Sequence, residues 1–150
     1  MFLTKEDLGQ VIYDYQVEQI TEGNDDLVLQ ALAAGEEETR SYLEPNLNKK
    51  DSMDGRLIYD TDAIFSQAGT SRNALILQHA VTISKYHLIH LCNVDALYEQ
   101  AEERYDRATS WLVKLSKGDV TIKSLPKVSI DADETATPYA MGSRTKFNHE

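Results

Sequence analysis

The stretch Ala101–Ile122, AEERYDRATSWLVKLSKGDVTI, is where the architecture is most clearly written. Ala101, Tyr105, Ala108, Trp111, Leu112 and Leu115 recur at helical spacing and form one apolar stripe. Lys114 and Lys117 stand in the last turn, where cations suit the negative end of a helix. Gly118 is placed to take the left-handed C′ conformation that stops it. Val120-Thr121-Ile122 then changes to a period of two. The stretch predicts an amphipathic helix with a defined end, followed by extended chain, and it contains no catalytic pattern.

Upstream, Leu75, Ile76, Leu77, Ala80, Val81, Ile83, Tyr86, Leu88, Ile89 and Leu91 cover most of the circumference of a helix. Such a helix is central in its domain or shared with a second subunit. Thr70 or Ser71 is its expected cap, and it runs to about Cys92. Asn93-Val94-Asp95 is then the whole connection to the next helix, and so short a link predicts an antiparallel hairpin. With Asn93 as N-cap, Cys92 and Leu97 fall in hydrophobic-staple positions.

Nearer the N-terminus, Thr4 precedes Lys5-Glu6-Asp7 as the cap of a first helix with Leu8, Val11, Ile12 and Tyr15 on its apolar face. Val17 and Ile20 continue that face, after a kink or in a separate short helix, up to the break at Thr21-Glu22-Gly23-Asn24. Asn24 or Asp25 caps a second helix that carries Leu27, Leu29, Leu32, Ala33, Glu36, Thr39, Tyr42 and Leu43 towards Pro45. Gly35 lies inside it at about 1 kcal/mol against alanine, which marks a close packing contact. Glu36-Glu37-Glu38 reads as a solvated face.

Residues 44–70 form a long irregular loop, rich in Asn, Asp and Gly at its start. Leu57, Ile58 and Tyr59, then Ile64 and Phe65, are apolar islands in it, so the loop docks on its own domain or on a neighbour. After Gly118, Val120, Ile122, Val128 and Ile130 suit two short strands or one extended arm, and they are candidates for strand pairing between subunits. Asp131–Pro138 is linker-like. The final segment carries Tyr139, Met141 and Phe147 as anchors with Arg144 and Lys146 as cations, the composition of a binding motif on a tether. The expected organisation is a helical domain, 1–118, containing loop 44–70, and an extended arm, 119–150. The fold class is mainly α: a small bundle of four to five helices around a central antiparallel helical hairpin, with short β segments in the arm.

The net charge of −10 disfavours nonspecific nucleic-acid binding. It is uneven: residues 1–69 hold fifteen Asp/Glu against five Lys/Arg, whereas residues 70–150 hold ten of each. The first half is therefore a solvated acidic surface or one that meets a basic partner. One cysteine, Cys92, excludes an intrachain disulfide and a cysteine-based zinc site. No basic and apolar leader opens MFLTKEDLGQ and no apolar run approaches membrane length, so the sequence predicts a protein made in the cytoplasm with no membrane partner.

Candidate chemistry is sparse. His87 and His90 are one helical turn apart, with Cys92 near and His79 three turns back, but the pattern is not HExxH and lacks an obvious carboxylate partner. Packed histidines are the simpler reading. Asp60-Thr61-Asp62 lacks the glycine and distal glutamate of a calcium loop. No GxSxG, GxGxxG or GxxxxGK[ST] motif occurs. The expectation is a non-enzyme without catalytic residues, metal or cofactor.

Leu3-Thr4-Lys5-Glu6-Asp7-Leu8, then Tyr105-Asp106-Arg107-Ala108, Trp111-Leu112 and Lys117-Gly118-Asp119-Val120-Thr121-Ile122, taken in this order, resemble small phage proteins of the Mu-like head-tail connector (head completion) family. The resemblance covers about residues 1–43 and 72–125; loop 44–70 is longer than the family's pattern, and Gly142–Asn148 matches its short basic ending loosely. The resemblance implies a virion protein at the head-tail interface, forming a ring, commonly of twelve subunits. Such a ring lies under the portal, binds tail or stopper proteins, and extends a channel through which DNA passes without sequence-specific binding. On that reading the arm residues Tyr139, Met141, Arg144, Lys146 and Phe147 contact the partner first, and the loop residues Leu57, Ile58, Tyr59, Ile64 and Phe65 next. The alternative is an acidic protein-binding module or regulator acting as a monomer or dimer.

Overall fold

The helix Ala74–Leu91 occupies the centre of the molecule, packed between helices Asp25–Leu43 and Asp95–Lys117. The structure is a computed structural model, and it describes residues 1–44 and 58–128. In chain order the elements are a 3₁₀ turn Lys5–Gln10, α1 (Asp14–Thr21), α2 (Asp25–Leu43), α3 (Thr61–Phe65), a 3₁₀ turn Gly69–Ser71, α4 (Ala74–Leu91) and α5 (Asp95–Lys117). The fold is mainly helical, a small bundle, and no helix among the described residues is long and apolar enough to cross a membrane.

The all-round apolar character of α4 is accounted for within the chain. Ile76, Ala80, Val81, Ile83, Leu88 and Ile89 are buried, and Ile76, Ala80, Val81 and Leu88 form the main core with Phe2, Leu3, Leu8, Val28, Leu32, Ile64 and Phe65. A smaller cluster joins Ile83 to Ala108 and Leu112 of α5. α2 and α4 approach closely at Gly35, where a Cβ would lie 2.7 Å from the Ser84 backbone nitrogen and 2.8 Å from its Cα. The mid-helix glycine is thus the contact its position implied. Ser84 turns its hydroxyl back to the Ala80 carbonyl at 2.9 Å, so the narrow seam leaves no polar group unpaired there.

α4 and α5 form the expected antiparallel hairpin: Tyr86 meets Tyr98 and Tyr105, and His79 meets Trp111, at opposite ends of the pair. α5 ends as its sequence implies, with Gly118 at φ 83° and the Asp119 N–H donating to the Lys114 carbonyl at 2.9 Å.

Several boundaries differ from expectation. The first helix is divided: the chain after Thr4 makes a 3₁₀ turn and restarts as α1 beyond Tyr13, which leaves Tyr15 exposed rather than on the core face. Lys85 bridges the division, its Nζ donating to the freed Val11 carbonyl at 3.0 Å. Asn73, not Thr70 or Ser71, caps α4 by accepting from Leu75 N and Ile76 N; the two hydroxyl residues lie on the preceding 3₁₀ turn. Asn93 does not cap α5 but makes the left-handed corner of the hairpin at φ 52°, a conformation asparagine tolerates better than most residues. Leu29 faces solvent, half exposed, on the outer side of α2.

Candidate functional site

Most of the candidate contact residues lie in the C-terminal arm, and the described chain shows how the root of that arm is held. Segment 119–128 does not hang free after Gly118. The Asp60 N–H donates to the Pro126 carbonyl at 3.0 Å, and the Val128 N–H donates to the Ile58 carbonyl at 2.9 Å, closing an antiparallel bridge at Tyr59 and Lys127. The Ile122 N–H donates to the Tyr59 hydroxyl at 3.1 Å, and Asn73 Nδ2 donates to Ser124 Oγ at 3.2 Å. Leu125 is buried, and Val120 and Ile122 pack against the main core. Burial of Tyr59 and Leu125 contributes about 1.5–3 kcal/mol each to this docking. The packed body thus reaches Val128 rather than ending at Gly118.

This geometry places two groups of candidates within the body. Val120, Ile122 and Val128 were candidates for strand pairing between subunits. The first two are packed in their own chain, and the N–H of Val128 is already bonded within it, although its side chain is 46% exposed. Among the described residues the expected short β segments amount to one bridge, and on its Pro126 side no N–H is available to extend the ladder. In the former loop, Tyr59, Ile64 and Phe65 are 5%, 0% and 5% exposed, so they are core residues and offer a partner little surface. Asp60 caps α3 by accepting from Ala63 N at 3.0 Å, and this short helix drives Ile64 and Phe65 inward. Phe65 meets Phe2 edge-on at 5.0 Å, with the Arg40 guanidinium 5.8 Å above its ring and ion-paired to Asp62. Ile58 is half-buried. Leu57, Ile130, Tyr139, Met141, Arg144, Lys146 and Phe147 lie outside the described residues.

Two polar nodes were not anticipated. At the first, Glu38 accepts from the Tyr105 hydroxyl at 2.5 Å and pairs with His87 Nε2 at 2.7 Å, so one carboxylate ties α2 to both arms of the hairpin. Tyr105 stacks on Tyr86 at 4.1 Å, and Tyr86 shares a 3.4 Å hydroxyl contact with Tyr98. Burial and the bond to anionic Glu38 push the Tyr105 phenol well above its usual range, while the bond to Tyr98 and burial lift Tyr86 to about 12. Tyr86 and Tyr105 therefore stay protonated at neutral pH, and their hydroxyls act as hydrogen-bonding groups of a clasp between the helices. Glu36 is also engaged, accepting from Phe2 N at 2.9 Å and Leu3 N at 3.2 Å; only Glu37 of the acidic triplet keeps the solvated role expected for all three.

The second node anchors the N-terminus. Arg72 donates to Asp7 through both terminal nitrogens, at 2.6 and 2.9 Å, and to the Phe2 carbonyl at 2.8 Å. Burial alone raises a carboxyl pKa, but here the Arg72 and Thr4 hydrogen bonds outweigh it and hold Asp7 below its ordinary value.

No family model, curated protein or solved structure matches the chain. The histidines offer no metal centre among the described residues: no group of three His, Cys, Asp or Glu side chains is placed to share an ion. His87 is engaged by Glu38, and His90 is exposed and parallel to Tyr86 at 6.3 Å. His79 stacks on Trp111 at 4.6 Å, and burial lowers its pKa, which favours the neutral ring.

Proposed function

We propose that this chain is a structural phage virion protein, a head-tail connector subunit that forms a ring between the portal and the tail or stopper proteins. The observation that carries the reading is the ordered set of motifs from Leu3–Leu8 to Lys117–Ile122, each of which has a defined structural job. Thr4–Asp7 closes the N-terminal capping turn, Trp111-Leu112 lies in the packed hairpin, and Gly118 stops α5. The docked root at 119–128 supports an arm that leaves from a fixed point on the body, as a tethered binding segment requires. An acidic channel wall would keep DNA from adhering during passage. The reading needs no catalysis.

Deleting residues 131–150 should leave the helical circular-dichroism spectrum and the thermal unfolding transition almost unchanged, because every described core contact lies before them. Co-sedimentation with the portal protein should be lost. Normal attachment of the truncated chain to the portal would remove the arm from the account.

A second reading, an acidic binding module acting as a monomer or dimer, is favoured by the exposed carboxylates of Asp14, Glu18, Glu22, Asp25 and Asp26. It predicts no ring, and capture of a basic protein that weakens steeply with salt.

A further inference from the structure

Tyr13 and Tyr15 are 68% and 64% exposed, yet their rings stack at 5.7 Å with 12° between planes. Singly exposed apolar residues are ordinary; two aromatic rings paired in water form a small unpartnered face. Asp14 lies between them in sequence and Glu18 follows one turn later on α1. The Lys5 ammonium bonds Asp25 at 2.5 Å and feels Glu18 and Asp14 as well, which places these carboxylates on a shared side of the molecule. Asp14 and Glu18 make no ion pair with another described residue.

The opposite sign is gathered at the end of α5 and just beyond it. Lys114, Lys117, Lys123 and Lys127 are all exposed, and Asp119 is the single acidic residue from Arg107 to Val128. None of the four lysines pairs with another described residue.

We propose that these two surfaces meet between copies: the Tyr13–Tyr15 face of one copy receives the lysine-bearing end of α5 of the next. The inference rests on the reading that copies of this chain assemble. Lysine ammoniums suit tyrosine faces and the flanking carboxylates at once. A two-fold arrangement that set the tyrosine face against itself would bring Asp14 and Glu18 against their own copies, and like charges oppose it. A head-to-tail contact joins unlike faces and repeats from copy to copy, closing into a ring where the rotation permits.

The test uses the full chain. Asp14→Lys with Glu18→Lys makes both faces basic; Lys114→Glu with Lys117→Glu makes both acidic. All four positions are exposed, and circular dichroism checks that each variant folds. In native mass spectrometry and zero-length carboxyl–amine cross-linking across a concentration series, each variant alone should associate at least about tenfold more weakly than wild type. An equimolar mixture should recover association, because each altered face then finds its complement. Tyr13→Ser with Tyr15→Ser should also weaken association, without changing the charge. Wild-type association that all three variants leave unchanged, or a mixture that stays dissociated, overturns the inference while leaving assembly itself intact. Absence of any cross-link between wild-type copies also overturns it; attachment to the portal is scored separately and decides the connector reading.

Discussion

Arg72→Ala should destabilise the protein by about 3–5 kcal/mol, because it strands a buried carboxylate. The side chains of Arg72 and Asp7 are only 10% and 7% exposed, and the pair is bidentate, the geometry in which guanidinium and carboxylate match best. The same substitution removes the donor to the Phe2 carbonyl and the guanidinium 5.7 Å above the Phe2 ring, loosening a residue that is 1% exposed. Asp7→Ala should cost a comparable amount, since it leaves the arginine unpaired and takes away the acceptor for Thr4 N. The double variant should cost much less than the two losses added, as expected of directly interacting groups.

The effect has a defined pH dependence. The folded pKa of Asp7 lies below its ordinary value of 3.8, so the unfolded chain binds the proton first. The stabilisation is therefore complete above that ordinary value and is lost as pH falls through the folded one. The gap between wild type and Arg72→Ala should be widest near neutrality and shrink in acid. Urea titrations followed by circular dichroism at neutral and acidic pH measure it; a gap that stayed constant would show that the ion pair is not its source.

Gly35→Ala should destabilise by about 3 kcal/mol, although alanine is the better helix former by about 1 kcal/mol. The new methyl meets Ser84 Oγ and, decisively, the Ser84 backbone, which no rotamer change can move. α2 and α4 must separate, and the buried side chains along their seam lose contact. Adding Ser84→Gly should restore only part of the stability, because the backbone contacts remain. Chemical denaturation of the single and double variants reads this directly; a stabilised Gly35→Ala would mean that the helices are not in close contact there.

The parts of this fold legible in the sequence are those that depend on local periodicity. The stripe of α5, its Gly118 stop, the central place of α4 and the tight hairpin follow from spacing and turn chemistry alone. Cap positions were less legible because Thr70, Ser71 and Asn73 are all good cap residues within four positions, and the choice depends on where α4 packs. The five-residue α3 is too short for a periodic signal, so in sequence Asp60 reads only as part of an incomplete calcium loop and not as its cap. The polar nodes join residues far apart in the chain: 65 positions for Asp7 and Arg72, and 49 and 67 for Glu38 with His87 and Tyr105. Local reading therefore assigned Glu38 to solvent. The arm root was hidden for the same reason, since Tyr59 and Lys127 pair only after the bundle has formed. Of the partner contacts first expected, Tyr59, Ile64 and Phe65 became core, because apolar islands in a loop satisfy their own domain as readily as a neighbour.

The measurement that bears most directly on the connector reading is native mass, by light scattering or native mass spectrometry, on the full chain alone and with the portal protein. The account predicts a closed ring-sized species, formed by the chain itself or nucleated on the portal. A chain that remained monomeric at every concentration and ignored the portal would contradict it and favour the acidic binding module.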